Sequence, residues 1–244
     1  MDLPHGYVEI GAEQLPGACR LWHAAVGYAA LSDGRSTAYL ATPDAPLVAF
    51  ADIFRGRWNA PAGPPSGTVL GFAFNNYWHT NYKASQGGEL VFSYTLRLAR
   101  GTFDASAASR FGAEARVMAR NYPFDYARSQ DAVPAKAGSL PEAAAGVAVS
   151  GGSVILGGFR LMDGAVHVRL VNPGPKDALA TVRLPARILR ARRVDLMGRT
   201  LGPATLRDGA LSARVPARGI ATFAVQAEAG GGWLAPDAVS GAPR

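Results

Sequence analysis

The stretch that decides the fold runs from residue 154 to residue 173: Val154-Ile155-Leu156-Gly157-Gly158-Phe159-Arg160-Leu161-Met162-Asp163-Gly164-Ala165-Val166-His167-Val168-Arg169-Leu170-Val171-Asn172-Pro173. Its halves alternate apolar and polar residues with period two around Asp163-Gly164, a pattern of two strands with one buried face and a tight turn between them. The same alternation recurs at 68–74, 89–98, 180–184, 210–215 and 220–225, and Asp208-Gly209 and Asn172-Pro173-Gly174-Pro175 supply further hairpin turns. On this pattern His167 stands beside Arg169 on a solvent-facing strand surface. The expected core is Phe72, Phe74, Leu90, Phe92, Leu96, Ile155, Phe159, Val168, Leu170 and Phe223.

One segment follows a different period. After Asp104, a helix N-cap residue, Phe111, Ala115, Met118 and Ala119 recur at helical spacing until Asn121-Tyr122-Pro123 stops the run. The reading is a mainly β, antiparallel β-sandwich chain with one short connecting helix. Residues 1–128 form a β-sandwich unit, 129–144 a linker of small residues, 145–226 a second, smaller β-sandwich unit, and 227–244 a flexible tail.

The 244 residues, 48% hydrophobic and 18% charged, exclude a wholly disordered chain. Cys19 is the single cysteine, so an intrachain disulfide framework and a cysteine-based zinc knuckle are both excluded. The four histidines stand apart in the sequence, outside any HxH or HExxH spacing, and no metal site is expected. No apolar run approaches the roughly 20 residues a membrane-spanning helix needs, and the first ten residues lack a basic and apolar leader, so a cytoplasmic location is expected. The net charge is +7 and arginine supplies most of the cations, a skew that follows the abundant Ala and Gly. Arg183, Arg187, Arg190, Arg192, Arg193 and Arg199 bunch together without an aromatic neighbour; they read as the wet face of a strand, and neither a nucleic-acid nor a membrane partner is expected.

The densest polar and aromatic segment is Asn75-Asn76-Tyr77-Trp78-His79-Thr80-Asn81-Tyr82-Lys83-Ala84-Ser85-Gln86-Gly87-Gly88-Glu89. Sugar recognition needs flat aromatic faces for the apolar side of the ring and amides for the hydroxyls, and this loop offers both. In that reading Tyr77 or Trp78 lies against the ring while Asn76, His79, Asn81 and Gln86 point toward hydroxyls. The plain alternative is a hairpin whose Asn residues make turns and whose aromatics cap a sandwich edge. In a second segment, Pro46 to Trp58, Asp52 pairs with Arg55 or Arg57 and orients the loop, or simply forms a salt-bridged strand end. Asp52 and Glu89 are the carboxylates nearest these segments, the weakest basis for a standalone glycosidase.

These residues resemble the C-terminal β-sandwich region of the glycoside hydrolase family 38 α-mannosidases, particularly bacterial members. The resemblance rests on Asp44-Ala45-Pro46-Leu47-Val48 leading to Asp52-Ile53 and Arg55-Gly56-Arg57-Trp58, and on Asn75 to Tyr82 with Gln86-Gly87-Gly88 and Phe92-Ser93-Tyr94. Further along, Val168 to Pro173, Asp195-Leu196-Met197-Gly198-Arg199 and Pro216 to Thr222 follow in the same order, so it spans about residues 35 to 225. It implies a galactose-mutarotase-like β-sandwich of the family 38 C-terminal type and a carbohydrate-associated role in an α-mannosidase. The family's zinc, its aspartate nucleophile and the carboxyl pair of a retaining glycosidase belong to an N-terminal catalytic domain whose motifs have no counterpart in this sequence. The chain is therefore expected to hold no catalytic residue and no cofactor, and to partner that catalytic domain, in cis or in trans, and mannose-containing glycans. The alternative is a structural or interaction module without sugar affinity.

Overall fold

A computed structural model describes residues 1–50, 66–74, 81, 85, 87–117, 146–162 and 164–228. Among them the chain is mainly β, with every strand pair antiparallel.

Residues 146–228 form a two-sheet sandwich. Its strands are β9 (Ala148–Ser150), β10 (Ile155–Met162), β11 (Ala165–Asn172), β12 (Ala178–Arg183), β13 (Ile188–Val194), β14 (Thr200–Pro203), β15 (Thr205–Arg207), β16 (Ala210–Val215) and β17 (Gly219–Ala227). One sheet has the order β10-β11-β17-β13-β14 and the other β15-β16-β12-β9. The alternation seen in the sequence becomes the two faces of these strands: Val166, Val168 and Leu170 pair across with Val225, Phe223 and Ala221 and pack on Val182, Leu211 and Val215 of the other sheet. Burying such branched side chains contributes on the order of 1.5–3 kcal/mol each.

Asp208-Gly209 joins adjacent antiparallel strands as expected, and β10 and β11 pair as a hairpin from Met162 and Ala165 outward, with Asp163 outside the described residues. Asn172 to Pro175 does not: β11 and β12 belong to different sheets, so this turn carries the chain across the sandwich. Asn172 is what makes the crossing possible. Its fully buried amide donates to the carbonyls of Lys176 (2.8 Å) and Val215 (3.2 Å) and accepts from Gly174 N (3.0 Å) and Ser153 Oγ, so the polar groups freed by leaving one sheet are satisfied inside the core.

His167 also departs from the sequence reading. It is 3% exposed, because the Asp195–Arg199 turn folds over the outer face of β11. Gly198, at φ +85°, comes so close that a Cβ there would lie 2.5 Å from Met162 Cε and 3.4 Å from His167 Cε1. Asp195 holds that turn by accepting from Met197 N and Arg199 N, both at 2.9 Å, and from Arg199 Nε at 2.6 Å.

The earlier residues build three small sheets: β1 (Asp2–Leu3) with β2 (Gly6–Tyr7); β3 (His23–Ala24), β6 (Leu47–Phe50) and β7 (Val69–Gly71), in the order β3-β6-β7; and β4 (Ala29–Ser32), β5 (Ser36–Ala41) and β8 (Thr95–Arg100), in the order β4-β5-β8. Helix α1 (Ala105–Arg116) starts at Asp104, whose carboxylate accepts from Ser106 N (2.8 Å) and Ala107 N (3.0 Å). It lays Ala108 and Phe111 on Tyr28, Tyr39 and Ala41, covering one face of the β4-β5-β8 sheet. The opposite face carries the cross-strand rows Ala29, Leu40, Leu96 and Leu31, Ala38, Leu98, and there Leu96 is 63% and Leu98 74% exposed.

Several expected core positions are therefore surface positions: Leu96 on this open face, and Phe74, Leu90 and Phe159 elsewhere, are exposed, while Phe72, Phe92 and Ile155 are half-buried. Period-two alternation marks a face without saying whether anything packs on it. The first segment touches the sandwich through Arg218, which sits 4.8 Å from the Tyr7 ring centroid and 2.5 Å from Glu13 Oε1. Among the described residues no helix is long and apolar enough to cross a membrane.

Candidate functional site

The β3-β6-β7 sheet carries both segments singled out in the sequence. Its central strand, β6, holds Val48 fully buried between His23 of β3 and Gly71 of β7. Apolar residues at 47–50 make this strand, and Gly71 beside it lets the Tyr94 ring close over the sheet.

The aromatic and amide loop has a defined base. At its start Phe72 N donates to Leu47 O at 2.9 Å, and the Phe72 ring meets Trp22 edge-on with centroids 3.9 Å apart. At its end Ser93 N donates to Asp44 Oδ2 at 2.7 Å, and Tyr94 lies over Gly71 so closely that a Cβ on Gly71 would be 2.9 Å from the ring. Ala25 N fixes the same segment from the far side by donating to Pro46 O at 2.7 Å. Both ends of the loop thus hang on the four residues 44–47, and two stretches of the family resemblance, far apart in sequence, meet in one hydrogen bond. That bond is charge-assisted, stronger than a neutral one.

Of the proposed sugar contacts, Asn81 is described and is exposed, as are Ser85 and Glu89. Asn76, Tyr77, Trp78, His79 and Gln86, and the loop-orienting set Asp52, Arg55 and Arg57, lie outside the described residues. Phe50 pairs with Val69 and Val48 with Gly71, so β6 ends at Phe50 on one side of the sheet and β7 ends at Gly71 on the other. Phe74, Leu90, Val91 and Tyr94 around the loop base are exposed, a set of apolar and aromatic surfaces that alternation had assigned in part to the core.

His23 is the titratable group buried in this sheet. With Nε2 protonated it donates to Arg20 O at 3.2 Å, and its ring centroid is 5.7 Å from that of Phe50. Burial among these groups pushes its pKa below the ordinary histidine value, outweighing the Arg20 carbonyl, which favours the charged form. His23 is therefore held neutral, a structural donor.

Among the described residues no three His, Cys, Asp or Glu side chains are arranged to hold a metal ion, and those present do not fit a zinc site. Among the described residues a shallow depression of about 190 Å³ between β4-β5-β8 and β7 is lined by Ala, Leu, Val and Gly, which offer apolar contact. A second, of about 280 Å³, lies between α1 and the sandwich and includes Arg110 and Glu114 among apolar neighbours. No protein-family model matches the chain, and no curated protein matches it.

Proposed function

We propose that the chain is the carbohydrate-associated β-sandwich part of an α-mannosidase, non-catalytic by itself, and that its 75–89 loop forms part of the surface that meets mannose-containing glycans. The observation that carries this reading is the clamped base of the loop. Asp44 Oδ2 and Leu47 O hold Ser93 N and Phe72 N, so the chain on either side of the loop is anchored to one four-residue stretch. Sugar binding draws on such anchoring, since ordering a free loop costs affinity. The zinc chemistry of the resembled family belongs to a catalytic domain that this chain would partner, in cis or in trans, in the cytoplasm.

Titration of the purified chain with an α-linked mannose oligosaccharide tests the loop. The reading expects saturable binding that the double substitution Trp78→Ala/Asn81→Ala weakens about tenfold or more, the scale of losing one stacked ring and one hydrogen bond. Equal binding by the variant overturns it. A second reading, an interaction module without sugar affinity, is favoured by one specific feature: the open apolar rows of β4, β5 and β8, with Leu96 and Leu98 mostly exposed.

A further inference from the structure

The positive charge of this protein is distributed unevenly. Residues 146–228 contain twelve Lys and Arg against five Asp and Glu, so the sandwich carries the chain's entire net charge of +7 and the remaining residues balance to zero. None of the four described carboxylates lies within a strand: Asp208 is in a turn, Asp177 and Asp195 flank strands, and Glu228 follows β17. Two of them are already engaged, Asp177 with Arg214 at 2.8 Å and Asp195 with Arg199 at 2.6 Å.

Strand pairing gathers four arginines on the outer face of the five-stranded sheet. The row Arg160, His167, Ala224, Arg192 crosses β10, β11, β17 and β13, which sets the two arginines about 14 Å apart at three strand spacings. Arg190 stands two residues from Arg192 on the same face, and Arg169 sits next to the row with its Nε 3.4 Å from Thr222 Oγ1. Between them His167, Thr222 and Ala224 are buried, His167 beneath the Asp195–Arg199 turn, whereas Arg160 and Arg190 are exposed. Among the described residues no carboxylate pairs with any of these four arginines.

We infer that this face, centred on Arg160, Arg169, Arg190 and Arg192, binds an anionic polysaccharide. Guanidinium forks match carboxylate, sulfate and phosphate groups in two-pronged fashion, and four of them flanking the Asp195–Arg199 turn suit a chain bearing a charge on successive sugars. Nucleic acid fits less well. Among the described residues the strands of this face present no outward Phe, Tyr or Trp on which bases could stack, and no helix to enter a groove. The inference extends the proposed carbohydrate association to a second surface and a charged glycan, and takes from that reading only the preference for a sugar polymer.

The test uses the full chain and three probes at about 50 mM salt, where electrostatic binding is strong: a polyuronate, a neutral α-mannan and a DNA duplex. Polyuronate binding is expected to fall steeply with salt. It is also expected to weaken about tenfold or more in Arg160→Glu/Arg192→Glu, yet by less than about twofold in Arg183→Glu/Arg207→Glu, which changes the net charge equally on the other sheet. The milder pair Arg160→Gln/Arg192→Gln, checked for native circular dichroism, guards against misfolding of the reversals. Absence of polyuronate binding, equal loss in both pairs, or a duplex bound as tightly through the same two arginines would overturn the inference. Mannan bound without polyuronate overturns this surface alone; polyuronate bound without mannan overturns the sugar-loop reading alone.

Discussion

His23 shows how one residue links the loop-bearing sheet to pH. Its folded-state pKa lies below the unfolded value because burial penalises the imidazolium. Between those two values the unfolded chain binds more protons, so stability rises with pH through that window and is fully present above the unfolded histidine value of about 6.5. We expect the melting temperature to drop as pH falls from about 7 to about 5, and His23→Gln, which can still donate to Arg20 O, to flatten that drop. An unchanged slope in the variant would place the titration elsewhere. The same residue type also marks where the sequence was hard to read. His167 alternates in phase with Arg169, yet it is buried because a turn 28 or more residues later closes over it, and local periodicity carries no trace of such a lid.

Elements were legible in proportion to how local their determinants are. Helix α1 was readable because Asp104 supplies its own cap and Phe111 and Ala115 repeat on one face; it ends at Arg116, with Val117 as its C-cap, ahead of Pro123. The β15–β16 and β10–β11 hairpins were readable because Asp-Gly turns enforce them. The two- and four-residue strands at the start of the chain carry too few residues to show alternation, and the crossing at Asn172 was mistaken for a hairpin because its Asn-Pro-Gly-Pro chemistry is that of any tight turn. At the candidate site the residue types of the loop were visible, but its clamp was not: Asp44 and Ser93 stand 49 residues apart. If α1 is held chiefly by its cap and one buried face, Asp104→Ala should cost about 1 kcal/mol in urea unfolding. A loss below about 0.3 kcal/mol would mean that packing by Phe111 alone suffices.

At the scale of the whole molecule, two bodies of unlike charge share a chain, a basic sandwich and a neutral set of smaller sheets. Arg218 joins them, stacked near Tyr7 and paired with Glu13, whose carboxyl it holds below its usual range. Each contact is partly exposed, so together they contribute on the order of 1 kcal/mol. Arg218→Ala should leave the sandwich intact while separating a broader early unfolding phase from the main calorimetric transition. A single unchanged transition would show that other contacts couple the two.

The proposed role in an α-mannosidase is tested by recovering the tagged full chain from cells of its source and assaying the recovered material for α-mannosidase activity with and without zinc chelation. A chelator-sensitive activity is expected to co-purify with the chain and to fall when Trp78 and Asn81 are replaced. A chain recovered alone, inactive and without affinity for α-mannosides, would contradict that role.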